Sequence, residues 1–85
     1  MKTRTFKNHS LQRMYDLFRY DEDNRYFNNT AAGNAYRRGL DGHPDPGVPS
    51  SLQHAAWAAG ADKRADEFER LARELFDEND KIMLD

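Results

Sequence analysis

Cysteine is absent from this chain of 85 residues, so it has neither a disulfide framework nor thiol chemistry. That absence is consistent with a reducing compartment, and a cytoplasmic location is expected. β-Branched aliphatic residues are nearly as scarce, with one valine (Val48) and one isoleucine (Ile82), which argues strongly against a strand-rich domain. No run of about 18 apolar residues occurs, so no membrane span is expected. The opening Met1-Lys2-Thr3-Arg4-Thr5-Phe6-Lys7 lacks the apolar stretch of a secretory signal. Leu, Ile, Val and Phe together number 14, close to the scarcity at which chains remain disordered.

Two features oppose disorder: aromatic residues make up 12% of the chain and the net charge is only −2. Large rings let a short chain bury area with few residues. The length allows one small domain, residues 1–85. Charge is unevenly divided along it. Residues 1–40 carry eight basic and four acidic side chains, a balance of +4, whereas residues 41–85 carry five basic and eleven acidic, a balance of −6. Such asymmetry suggests two faces with different partners.

Periodicity predicts an all-α domain of three helices, near residues 10–20, 31–40 and 51–79. A loose lead-in over 1–9 and a frayed tail over 80–85 complete the expected organisation. Ser10 is the expected cap of the first helix, whose Leu11, Met14, Tyr15 and Phe18 recur at helical spacing. Asp21-Glu22-Asp23-Asn24 ends it. Asn29 or Thr30 caps the second helix, which runs through Ala35 and Tyr36 toward Leu40, with Gly42 a natural stop in a left-handed conformation. All three prolines stand in the loop over residues 41–50. Ser50 or Ser51 then caps the third helix, in which Trp57, Ala61, Phe68, Leu71, Ala72 and Leu75 are spaced as a core-facing stripe. Gly60 leaves open whether that helix is continuous or restarts at Asp62. Ile82, Met83 and Leu84 could fold back onto the core.

Enzymatic constellations are poorly represented, and no catalytic residue is assigned. His9, His43 and His54 fit no metal-ligand spacing, so no metal is expected. Asp21-x-Asp23 begins like a calcium loop, but Arg25, Tyr26 and Ala32 stand where later ligands and the turn glycine belong. No phosphate loop or nucleophile elbow is present, and neither a cofactor nor a small-molecule substrate is expected. Asn8-His9-Ser10 and Asn28-Asn29-Thr30 match the glycosylation pattern, which carries no weight without a secretory signal.

The informative segment is Ala35-Tyr-Arg-Arg-Gly39-Leu-Asp-Gly42, the proline loop, then Trp57-Ala-Ala-Gly60. Ala-x-x-x-Gly places two small residues on one helical face, and Trp-x-x-Gly sets a small residue one turn after an indole. Ala35, Gly39, Gly42, Trp57 and Gly60 are therefore the candidate packing residues of a close helix pair. This pattern resembles the ribosome modulation factor family and its CrpP-like relatives over about residues 35–64. The resemblance implies docking on the small ribosomal subunit near the messenger-binding region, with silencing of translation. The chain departs from that family in being net acidic, in carrying Ala61 where a second aromatic often follows, and in its acidic extension from Asp62 onward.

Two functions follow as expectations. In the first, a non-enzymatic regulator docks on a ribosome or other RNA-bearing assembly through Arg13, Arg19, Arg25, Arg37 and Arg38. Tyr15, Tyr20, Tyr26 and Tyr36 are interleaved with them and offer stacking faces, although Tyr15 and Tyr36 also fit apolar helix faces, where such residues are more often core. In the second, an inhibitor or adaptor of the small phage-type accessory kind binds a protein through its acidic third helix. Asp66, Glu67, Glu74 and Asp77 are then the contacts. The oligomeric state is not legible from the sequence.

Overall fold

The computed structural model describes residues 4–21, 23–47 and 51–84, with the side chains of the last stretch as far as Leu75. It is all-α, with no strand among the described residues: α1 (His9–Tyr20), α2 (Ala31–Asp41) and α3 (Leu52–Leu84). None of these helices is long and apolar enough to cross a membrane.

The helix ends follow local chemistry. Asn8, rather than the expected Ser10, caps α1, its side-chain oxygen accepting from the backbone N–H groups of Ser10 (2.8 Å) and Leu11 (3.3 Å). Asparagine is as good a cap as serine, and its position, two residues earlier, starts the helix at His9. After α1, the Asn24 amide donates to the Leu17 and Asp21 carbonyls and so closes the turn. Thr30 caps α2, its hydroxyl accepting from Gly33 N–H at 2.9 Å while donating to the Tyr26 carbonyl. Gly42 ends α2 with φ 79, and the next N–H, of His43, reaches back to the Arg38 carbonyl at 2.8 Å. This is the left-handed stop that glycine supplies without steric cost.

Tyr15, Phe18 and Tyr36 are fully buried and form the centre of the core, with Phe18 and Tyr36 ring centroids 5.1 Å apart. Leu11 and Met14 extend it on α1, Ala32 and Ala35 on α2. Among the described residues, the buried core side chains of α3 are the alanines Ala55, Ala56, Ala58 and Ala59, all at 0% exposure, with partly buried Trp57 packed against them. Alanine on several sides of one helix lets α1 and α2 both approach closely. The crossing of α2 and α3 is closer still. A methyl built on Gly39 would overlap the Trp57 carbonyl oxygen and lie 2.7 Å from Ala61 N, and one on Gly60 would overlap the Tyr36 carbonyl oxygen. The expected packing residues Ala35, Gly39 and Gly60 thus sit in the helix interface, and α3 runs unbroken through Gly60.

Three expectations need correction. Trp57 is half-buried at the edge of the core, its indole N–H donating to the His43 carbonyl at 2.8 Å. It therefore fastens the loop over residues 42–47 to α3, aided by the Asp45–His54 pair, and does not fill the helix groove. Gly42 lies against the Arg64 guanidinium instead of a helix backbone. The third correction concerns the far half of α3. Phe68, Leu71 and Leu75, expected to face the core, are 54%, 47% and 62% exposed. Helices of 12 and 11 residues span about 18 and 16 Å, whereas the 33 residues of α3 span about 50 Å, so its second half outruns them. The helix also continues to Leu84, past the expected end near residue 79. The Ser50 cap lies outside the described residues, and Ile82, Met83 and Leu84 continue α3 as helix, so this segment does not turn back onto the core as expected.

Candidate functional site

The two expected charged sets are placed very differently by the fold. Of the basic set, Arg19 is buried at 9% exposure on α1 and paired with Asp66 on α3. Arg37 donates to the Phe27 carbonyl at 2.8 Å and to Asn28 at 3.2 Å, its guanidinium 4.7 Å from the Phe27 ring centre. It ties the link between α1 and α2 onto α2. Arg25 donates to the Tyr26 hydroxyl at 2.7 Å and lies over that ring. Arg13 and Arg38 are exposed and make no hydrogen bond or ion pair with the described residues. Of the interleaved tyrosines, Tyr15 and Tyr36 are in the core, as their places on the apolar helix faces imply. What remains for an external anion is Arg13 and Arg25, which share a cleft with Tyr26 and Leu52, and Arg38 at a distance along the chain on α2.

Of the acidic set, Asp66 is engaged by Arg19. Glu67 and Glu74 are exposed on α3, and the Asp77 side chain lies outside the described residues. Asp62, one turn before Asp66, accepts two hydrogen bonds from Arg4 (2.9 and 3.1 Å) and one from the Tyr15 hydroxyl (2.8 Å). Asp62 and Asp66 therefore tie α1 and the segment before it to α3. Burial raises the Tyr15 phenol above its ordinary pKa, and the Asp62 carboxylate it faces raises it further. Burial likewise raises Tyr36, opposed by the nearby Arg19 charge.

Beyond Asp66 the exposed part of α3 has a distinct pattern. Phe68, Leu71 and Leu75 stand at i, i+3 and i+7, so they form one stripe. Glu67 precedes Leu71 by four residues and Glu74 follows it by three, which sets a glutamate one turn on either side of that leucine. Exposed Ala65 and Ala72 flank the other side of the stripe. Arg64 lies 4.5 Å from the Phe68 ring centre, and Arg73 pairs with Glu69 at 2.9 Å. The spacing of this stripe was legible in the sequence; its exposure was not. The signal that could have revealed it was the length of α3 set against its two short neighbours.

Comparison of the chain with family models, curated proteins and solved structures returned no match. The resemblance to the ribosome modulation factor family therefore rests on the quoted residues alone.

Proposed function

We propose that this chain is a non-enzymatic binding protein that docks on a protein partner through the projecting half of α3. The observation that carries this reading is the exposure of Phe68, Leu71 and Leu75 on a helix that has already passed the end of its own core. Contiguous large apolar side chains on a charged helix mark interaction surfaces in small proteins, and anchors at i, i+3 and i+7 are the pattern of helix-in-groove recognition.

The RNA-docking reading has narrower support, the cleft shared by Arg13, Arg25 and Tyr26. It loses the buried Arg19 and the internally bonded Arg37, and a few separated charges neutralise few phosphates. A tagged pull-down from cell lysate separates the two. The α3 reading expects a captured protein that resists ribonuclease and is lost with Leu71→Gln and Leu75→Gln together. Capture that vanishes with ribonuclease and with Arg13→Glu and Arg38→Glu, but survives the leucine changes, would establish the RNA reading instead. Arg37 is left intact in that test because its hydrogen bonds are structural.

A further inference from the structure

Residues 4–6 belong to no helix, yet three kinds of contact seat them between α1 and α3. The Arg4 guanidinium forks onto both carboxylate oxygens of Asp62, its Nε and Nη2 donating at 3.1 and 2.9 Å. That planar match suits arginine better than lysine. The half-buried Phe6 ring lies against Tyr15 of α1, with centroids 5.5 Å apart, and meets His54 of α3 nearly perpendicularly at 6.2 Å. His54 is itself held, stacked on Trp57 and paired with Asp45. Gln12 reads the backbone between the two anchors. Its side-chain oxygen accepts from Phe6 N–H at 2.8 Å, and its amide nitrogen donates to the Arg4 carbonyl at 3.4 Å. Thr5, between them, is exposed.

A charged anchor, an aromatic anchor and a hydrogen-bonded backbone around one free position are the features by which a domain recognises a short peptide. We propose that Gln12, Tyr15, His54 and Asp62 form a docking site for a partner segment of the form Arg-x-Phe, closed here by the chain's own residues 4–6. The other charged groups nearby are engaged elsewhere. Asp16 accepts from Gln12 at 3.1 Å, Asp45 pairs with His54, Arg19 pairs with Asp66, and Lys63 lines a cleft with Asp66 and Glu67. Asp62 is thus the carboxylate that reads the guanidinium. The resident segment is releasable: the Arg4 and Asp62 side chains are 40% and 23% exposed, and ion pairs open to water contribute little. Only Lys7 and Asn8 separate Phe6 from α1, so the segment can swing out without unwinding a helix. Exchange between two copies of this chain is less favoured, because it remakes the same contacts and adds the cost of association. The resident segment acts instead at the high effective concentration of a two-residue tether, which a partner must offset with contacts beside the slot.

The test uses the full chain carrying Arg4→Ala and Phe6→Ala, which empties the slot, and a fluorescent peptide Lys-Thr-Arg-Thr-Phe-Lys. Anisotropy titration should show saturable binding to this variant. Replacing the peptide's arginine by lysine, or its phenylalanine by alanine, should weaken binding at least about tenfold, a gap of about 1.4 kcal/mol. The wild-type chain should bind the peptide at least about tenfold more weakly than the variant, because its own segment holds the slot. Adding Asp62→Asn to the emptied variant should remove the preference for arginine over lysine. Equal binding of the three peptides, no saturable binding to the emptied variant, or a wild-type chain that binds as tightly as the variant would overturn the proposal. A preference for arginine that persists with Asp62→Asn would do the same. So would loss of the helical circular dichroism signal in the emptied variant, which would make residues 4–6 part of the core. Sedimentation showing a wild-type dimer that Arg4→Ala with Phe6→Ala dissociates would replace the partner segment with exchange between copies.

Discussion

Gly39 of α2 and Gly60 of α3 are reciprocal: each backbone occupies the space that a side chain on the other helix would need. A methyl on Gly39 meets the Trp57 carbonyl, and one on Gly60 meets the Tyr36 carbonyl, with Leu40 N a further 3.0 Å contact. Both obstacles are helix backbone, so neither can yield without moving the helices apart. Alanine gains about 1 kcal/mol over glycine in helix propensity, yet here the overlap should dominate. We predict that Gly39→Ala and Gly60→Ala each destabilise by on the order of 1–3 kcal/mol or more. Chemical denaturation checks the sign, and a stabilised Gly60→Ala protein would contradict the close crossing.

The Arg19–Asp66 pair gives a second prediction. The Arg19 side chain is 7% exposed and its Nε finds no partner among the described residues, whereas Asp66 is 30% exposed. Asp66→Asn should leave a buried guanidinium with reduced compensation. The expected loss is roughly 2–3 kcal/mol, less than the about 3–5 kcal/mol typical of a fully buried pair because water reaches the carboxylate. Replacing both residues, Arg19→Met with Asp66→Leu, should recover most of that loss. A double variant as unstable as Asp66→Asn would show that the pair is net favourable.

The buried phenols make stability depend on alkaline pH. Tyr15 and Tyr36 hold their protons more tightly when folded than the ordinary value of 10.0 allows. Their contribution is complete below about pH 10 and is lost as pH rises toward the folded-state pKa values, because the unfolded chain ionises first. Denaturation midpoints should fall above about pH 10, and the fall should be shallower in Tyr36→Phe. A pH dependence unchanged by that substitution would assign the loss to other groups.

Substitution along the exposed stripe should be nearly silent for folding. Leu71→Gln with Leu75→Gln replaces half-exposed side chains by residues of similar helix propensity, so the change should stay within about 0.5 kcal/mol for each. This is what makes the pair suitable for binding tests. A large drop in melting temperature would place the stripe against the core.

Trp57 should behave as a fastener. Trp57→Phe removes the hydrogen bond to the His43 carbonyl and should cost about 1 kcal/mol. Trp57→Ala should cost about 2 kcal/mol, below the 3–5 kcal/mol of a fully buried indole, because the ring is only half-buried. Proteolysis within residues 42–47, faster in Trp57→Ala than in the wild type, would report release of the loop.

Much of the fold is written in short stretches of sequence, because caps and periodicity act over one or two turns. Thr30 and Gly42 bound α2 as their side-chain and backbone chemistry requires, and the alternation around Leu11, Met14, Tyr15 and Phe18 correctly identifies the buried face of α1. The small-residue spacing of Ala35, Gly39 and Gly60 likewise identifies the crossing, since only a missing side chain lets two helix backbones meet.

The candidate site was less legible. Arg19 and Arg37 read as exposed cations, yet partners far along the chain or across a turn, Asp66 and the Phe27 carbonyl, take them up. The stripe of Phe68, Leu71 and Leu75 had the spacing of a core face, and the sequence determined only that these residues share one side of a helix. Whether that side is covered depends on how far α1 and α2 extend along α3, and both stop near its alanine-rich first half. Periodicity is a property of one helix; burial is a property of its neighbours, so only the tertiary structure turned an apparent core stripe into an exposed one.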